Sequence, residues 1–137
     1  MVVDTSALVA ILRGEPDAER LAEALGAAEE AFMSAATLVE LYAVADSRSA
    51  PAASADLDRL IRASRIQVVP FTAEHAAIAR RAYAVYGRGS RSKARLNLGD
   101  CYSYALAAAT GDTLLFTGDD FRHTDLVPAA PPGDPAP

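Results

Sequence analysis

The chain has 137 residues, of which 51% are hydrophobic, with a mean hydropathy of +0.10 and a formal charge of −5; these are the proportions of one ordinary domain that buries a core, not of a disordered chain. No apolar run approaches the roughly 20 residues that span a bilayer, and no basic stretch followed by a long apolar one opens the chain. The single cysteine, Cys101, excludes an internal disulfide and a cysteine-rich zinc site. The expectation is a soluble, cytoplasmic protein in which oxygen ligands hold any metal.

Val2-Val3 suits a buried first strand, Ala7 to Leu12 a buried helix, and Asp4-Thr5-Ser6 the turn between them. Ligands of open parallel sheets bind beyond the carboxyl ends of the strands, where Asp4 would stand; Asp4 is equally suited to cap the helix, and the segment alone does not separate the two. Gly14-Glu15-Pro16 ends that helix and Pro16 can open the next, in which Leu21 and Leu25 form an apolar stripe. Ala31-Phe32-Met33 is a short second strand, and Ser34 caps a helix over residues 35–45 that is apolar nearly all round, with Glu40 inside it. Glutamate is rarely buried without a partner, so Glu40 faces either water or a polar cavity.

Residues 47–54 are a Ser/Ala/Pro connector, Leu57, Leu60 and Ile61 mark a further helix, and residues 66–71 form a third strand with Pro70 at its end. Thr72 caps a helix running through Tyr86, and residues 87–93 form a basic loop. Residues 76–99 contain none of the 18 acids but carry Arg80, Arg81, Arg88, Arg91, Lys93 and Arg95, so an acidic body bears one cationic segment. Asn97 with Asp100 three residues on resembles a capping box, which gives Asp100 a structural explanation. The helix behind them ends at Gly111, and its small residues, Ser103 among them, let it approach the sheet closely. Residues 113–117 make the clearest strand, which runs into Gly118-Asp119-Asp120-Phe121. Residues 125–127 add a short last strand, and the Pro/Ala-rich tail 128–137 is expected to be disordered.

Acids thus follow two strands, Asp4 and Asp119/Asp120, and stand near the starts of two helices that follow strands, Glu40 and Asp100. In an alternating α/β chain all of them face one rim of the sheet, where like charges repel unless neutralised. A hard divalent cation does this through oxygen ligands, which favours Mg²⁺ or Mn²⁺ over zinc. Such an ion activates a bound water and stabilises charge on a phosphoryl oxygen, and the Arg/Lys segment could hold neighbouring phosphates.

Val2-Val3-Asp4-Thr5-Ser6-Ala7-Leu8, the isolated Glu40, residues 98–107 (LGDCYSYALA) and residues 114–121 (LLFTGDDF) resemble, in order and spacing, the PIN-domain ribonucleases, and more narrowly the VapC toxins of bacterial toxin–antitoxin pairs. The resemblance covers residues 1–127, which are expected to form one PIN-like nuclease domain. It implies a three-layer α/β fold with a central parallel sheet flanked by helices, and Mg²⁺-dependent (or Mn²⁺-dependent) cleavage of structured RNA such as tRNA or rRNA. Asp4 and Asp100 correspond to the metal-binding aspartates and Glu40 to the second acid. The fourth acid is Asp119 or Asp120, whose register the doublet leaves open, and Ser6 is the hydroxyl beside the first aspartate. Arg88, Arg91, Lys93 and Arg95 are the candidates for RNA contact. The implied partners are a second copy of the chain and a cognate VapB-type antitoxin, in a heterotetramer or larger assembly, with Leu12, Leu21 and Leu25 as walls of the antitoxin groove. The rival readings are a catalytically silent PIN-fold binding module and a phosphotransfer domain; the filled acid positions argue against the first, and Ser6, where a haloacid dehalogenase needs an aspartate, against the second. His75 and His123 read as ordinary surface residues and Cys101 as a packing residue.

Overall fold

The computed structural model describes residues 1–46 and 51–131, with residues 51 and 52 described through their backbone only. Four strands, β1 (Val2–Val3), β2 (Ala31–Ser34), β3 (Ile66–Val69) and β4 (Leu114–Leu115), form one sheet in the order β3-β2-β1-β4. Every pairing is parallel: Val2 stands opposite both Phe32 and Leu114, and Ser34 opposite Val69. The helices are α1 (Thr5–Arg13), α2 (Ala18–Ala27), α3 (Ala35–Asp46), α4 (Pro51–Ala63), α5 (Ala73–Tyr86) and α6 (Leu98–Thr110), followed by a 3₁₀ turn at Asp120–His123.

Strand residues alternate between faces, and the two faces bury different neighbours. Val2 and Leu114 join Ala79, Ala82, Leu106 and Phe121 on the side of α5 and α6. Val3 and Leu115 join Leu8, Leu21, Leu41 and Leu57 on the side of α1 to α4. The sheet is therefore covered on both faces, as an all-parallel sheet requires, and the expected three-layer arrangement is present. From β1 the chain builds outward to β2 and β3, then returns to the other side of β1 for β4. The reversal falls between β1 and β4, where the connections part and leave a crevice at the strands' carboxyl ends. Asp4 follows β1 at that point.

Several boundaries differ from the sequence expectation, each for a local reason. Helix α1 starts at Thr5 because Asp4, in extended conformation (φ −88°, ψ 157°), is its N-cap and accepts a hydrogen bond from the Ser6 backbone N–H. Pro16 lies in the turn before α2, which starts at Ala18. Strand β4 is two residues long because Phe116 leaves the ladder to pack on Phe121, ring centroids 5.2 Å apart. Of the connector expected over residues 47–54, residues 47–50 lie outside the described set and the rest belong to α4. The basic loop is tied rather than loose: Gly87 pairs with Leu96, and the Ser90 hydroxyl donates to the Gly87 carbonyl at 2.7 Å.

Part of the segment expected as a disordered tail is packed. Residues 128–131 are built into the fold: Pro128 pairs with Leu114, the Ala129 N–H donates to the Leu114 carbonyl at 2.8 Å, Ala130 is buried, and Arg20 Nη1 donates to the Pro131 carbonyl at 2.8 Å. Strand β4 would otherwise present an open edge, and this segment satisfies its backbone groups. Residues 132–137 lie outside the described set. Among the described residues no helix is long and apolar enough to cross a membrane.

Leu115, wholly buried on the edge strand β4, and Val39, 71% exposed on α3, make a calibrated pair. Leu115→Ala should lower the unfolding free energy by about 2–5 kcal/mol and Val39→Ala by less than ~0.5 kcal/mol, as read by chemical denaturation.

Candidate active site

Asp4 is 2% exposed, which for an aspartate demands hydrogen-bond partners. It has them from two helices. Ser103 of α6, fully buried, donates its hydroxyl to Asp4 Oδ1 at 2.5 Å, and the Ser6 N–H of α1 donates to Oδ2 at 3.0 Å. Ser103 Oγ in turn lies 3.2 Å from Thr37 Oγ1 of α3, so a buried hydroxyl relay runs from α3 through α6 to the end of β1. Burial pushes the Asp4 carboxyl above the ordinary aspartate range, while Ser103, Ser6 and Thr5 pull against it. The Ser6 hydroxyl also accepts from the Thr117 N–H at 3.2 Å, which ties α1 to the segment after β4.

Glu40 faces neither open water nor the core. It is half-buried, with Oε1 accepting from the Thr5 hydroxyl at 2.9 Å. Burial, and then the charge of Asp4, raise its carboxyl. Asp100 closes the capping box, since Asn97 Oδ1 accepts from the Asp100 N–H at 2.8 Å and Asp100 Oδ2 accepts from the Asn97 N–H at 2.9 Å. The box fixes the side chain at the start of α6 among other acids. Burial first, then Asp4, Asp120 and Glu40, push its carboxyl up to about 7. Asp100 therefore serves as both cap and member of the acid group.

The doublet after β4 divides. Gly118 adopts φ +93°, a conformation favouring glycine, and turns the chain out of the sheet. Thr117, just before it, donates its hydroxyl to Asp17 at 2.5 Å. Asp119 is exposed and lies 2.9 Å from His123 Nε2; this contact holds its carboxyl below the usual range. Asp120 is the member of the pair whose charge acts on Asp100. The doublet's register was left open by the sequence; in the structure Asp119 is engaged by His123, and Asp120 is the member whose charge reaches Asp100.

Among the described residues no three acids or other ligating side chains already converge as a metal cage. Each carboxylate is instead tied to a local donor: Asp4 to Ser103, Glu40 to Thr5 and Asp100 to the Asn97 N–H. The donor set nonetheless suits a hard cation. It is all oxygen, its members raise one another's proton affinity, and Mg²⁺ characteristically keeps several waters while using only one or two carboxylates.

Sequence reasoning missed Thr5, Thr37 and Ser103 as partners of the acids. The available signal was helical spacing: Ser103 follows Asp100 by three residues and Thr37 precedes Glu40 by three, so each pair shares a helix face. Arg88, Arg91, Lys93 and Arg95 are exposed and make no ion pair among the described residues. Leu21 and Leu25 pack into the core and do not line the apolar groove between α1, α3 and α4, whereas Leu12, 38% exposed, lines it with Val9, Leu41, Ala45 and Leu57. His75 is buried against Phe71, ring centroids 6.0 Å apart, and is not a surface residue, because it lies on the first turn of α5 that packs over Phe71. Cys101 is a packing residue, and burial, then the charge of Asp100, push its thiol up to about 11, far from nucleophilic.

The PIN domain family model matches residues 1–126. Ribonuclease VapC42 of Mycobacterium tuberculosis is 54% identical over 129 residues, covering 94% of this chain and 98% of that protein. Two solved structures share the fold. Mycobacterium tuberculosis VapC20, described as a sarcin–ricin loop cleaving toxin, superposes with a TM-score of 0.73 at 19% identity over 95% of this chain and 98% of its own. VapBC2 of Rickettsia felis, bound to a DNA fragment from its promoter, gives a TM-score of 0.67 at 21% identity over 92% of this chain and 94% of its own.

The raised carboxyls set a pH dependence for the metal-free protein. Between about pH 7 and pH 4 the folded state binds more protons than the unfolded one, so stability rises as pH falls through that window. In chelator, the melting temperature should be higher at pH 5.5 than at pH 7.5, and Asp100→Asn, which keeps the cap, should flatten that difference. A slope unchanged by the substitution would contradict the assignment of Asp100 as the group raised by Asp4, Asp120 and Glu40.

Proposed function

The chain belongs to the PIN domain family, among its VapC ribonuclease toxins, and from that premise we propose that it hydrolyses phosphodiester bonds of structured RNA, tRNA or rRNA, with a water activated by Mg²⁺ or Mn²⁺. The observation that supports this reading is the placement of three acids by hydrogen bonds at the end of β1 and the start of α6: Asp4 held by Ser103, Glu40 held by Thr5 against the backbone of Gly99, and Asp100 held by the Asn97 N–H. Four acids at one crevice cost folding stability, and a bound divalent cation offsets that cost.

Asp4 and Asp100 would hold the ion, with Asp4 fixed in orientation by Ser103 and Ser6, and Asp100 by the Asn97 N–H. Glu40, steadied by Thr5, bounds the crevice on the α3 side, and Asp120 bounds it beyond β4. When bound, the cation lowers the pKa of a coordinated water and stabilises the charge that develops on the phosphoryl oxygen. Ser6 keeps the β4 segment in place through Thr117. Asp119 takes no part, its carboxylate being engaged by His123. The exposed Arg88, Arg91, Lys93 and Arg95 lead into α6 and would hold flanking phosphates of the substrate.

A cognate VapB-type antitoxin is the proposed partner. The groove of Val9, Leu12, Leu41, Ala45 and Leu57 offers an apolar seat for an antitoxin segment, with Arg13 at its border. Exposed Tyr83 and Val85 on α5 supply apolar surface for pairing two copies, giving a heterotetramer or larger complex with antitoxin. The setting is cytoplasmic, where both RNA and a protein antitoxin are at hand.

Purified, antitoxin-free protein incubated with a pool of tRNA and rRNA should give discrete products with Mg²⁺ or Mn²⁺ and none with chelator. Asp4→Ala and Asp120→Asn should lower the rate at least ~10²-fold, whereas Asp119→Asn should stay within a few-fold of wild type. Cleavage that survives chelator and Asp4→Ala would overturn the reading. Neutralising Arg91, Lys93 and Arg95 together should weaken RNA binding and make its logarithmic dependence on salt shallower by up to about 2 units, at roughly 0.7 for each phosphate no longer neutralised on single-stranded RNA; an unchanged slope would remove these residues from the phosphate path.

A further inference from the structure

Gly99 occupies the second position of α6, directly before Asp100, and is buried. Its backbone is ordinary helix with no positive φ, so nothing in its own conformation asks for glycine. Within a helix, alanine is the better residue on propensity alone. The reason for glycine lies across the crevice. A Cβ built at position 99 would overlap the Glu40 carboxylate, and its three nearest neighbours are Oε2, Cδ and Oε1 of that one side chain. The carboxylate thus lies against bare backbone in the first turn of α6, at the end of the helix whose dipole favours an anion, while Thr5 holds its other oxygen from α1.

We propose that Gly99 is a positioning residue for the acid centre: the missing side chain is the seat that brings the Glu40 carboxylate beside Asp100, and Thr5 latches it there. This rests on the reading of Asp4, Glu40 and Asp100 as a cation site. Glu40 comes from α3 and Asp100 from α6, so the pair exists only if the two helices leave room for a carboxylate between them. A methyl group at position 99 is small enough for the fold to keep, because the atoms it displaces are the far end of a flexible side chain. Displaced, Glu40 turns to solvent and the centre loses one of its acids.

The test is a cycle of four proteins, wild type, Gly99→Ala, Glu40→Ala and the double variant, with Mn²⁺ as the probe and calorimetric affinity as the readout. All four should fold, as judged by circular dichroism. Gly99→Ala should weaken Mn²⁺ binding about 10-fold or more, the range seen when supporting groups of a metal site are removed, yet should have no further effect once Glu40 is gone. A Gly99→Ala loss of the same size in both backgrounds, or no loss in either, would overturn the proposal. The ¹³C shift of the Glu40 carboxyl carbon in metal-free protein provides an independent readout. It should move in Gly99→Ala toward that of a solvent-exposed glutamate, and an unmoved resonance would overturn the seat. If wild type itself fails to bind Mn²⁺, the cation reading falls, and the resonance still decides whether Gly99 seats Glu40.

Discussion

A carboxylate buried at the end of the central strand has to be kept in place by hydrogen bonds, and the rest of the molecule is arranged around that requirement. Asp4 follows β1, which lies between β2 and β4 in the sheet, so both sheet neighbours and both helical layers close around it. Helix α6 approaches near enough for Ser103 to reach Oδ1, and α1 starts where its second N–H can reach Oδ2. Each contact stabilises the anion against burial. Each also fixes an element: α6 against the end of β1, α3 through Thr37 and Ser103, and the β4 segment through Ser6 and Thr117.

The acid centre places further charge on this arrangement. Glu40, Asp100 and Asp120 come from three separate elements, and burial, then the charges of Asp4, Asp120 and Glu40, raise the proton affinity of Asp100. A protein shaped only for stability would not assemble them, since buried or half-buried like charges are costly unless compensated. Local donors, Thr5 for Glu40 and the Asn97 N–H for Asp100, reduce that cost without removing it. Capping and chemistry are consequently not rival accounts of Asp4 and Asp100: a cap needs an oriented oxygen at a helix start, and so does a ligand.

Much of this was legible in the chain. The β-branched pair before Asp4, the lone Glu40 in an apolar helix, the Asn97–Asp100 box and the strand running into Gly118 each mark a strand end or helix start by local chemistry. In a parallel α/β sequence such places share one rim. The alternation of apolar strands with amphipathic or small-residue helices marked an α/β chain, and the three-layer fold followed from the resemblance to PIN domains. What misled was context that no local pattern carries. Leu21 and Leu25 looked available for a partner, yet are consumed by the core; residues 128–131 looked like a loose tail, yet satisfy the edge of β4.

The sequence by itself determined which acids stand at strand ends and helix starts and in what order, because that depends on residue type and on the fixed geometry of strand-to-helix turns. Only the tertiary structure separates the two members of the doublet, Asp119 by its contact with His123 and Asp120 by its charge acting on Asp100. Asp119 and Asp120 are chemically identical and adjacent, and what sets them apart is His123 lying one turn later, against Asp119. It also decided that Ser103 and Thr37 form a relay and that Gly99 makes room for Glu40. Those are contacts between residues 66 and 59 positions apart, and the packing distance between two helices is set by the whole core, not by either segment.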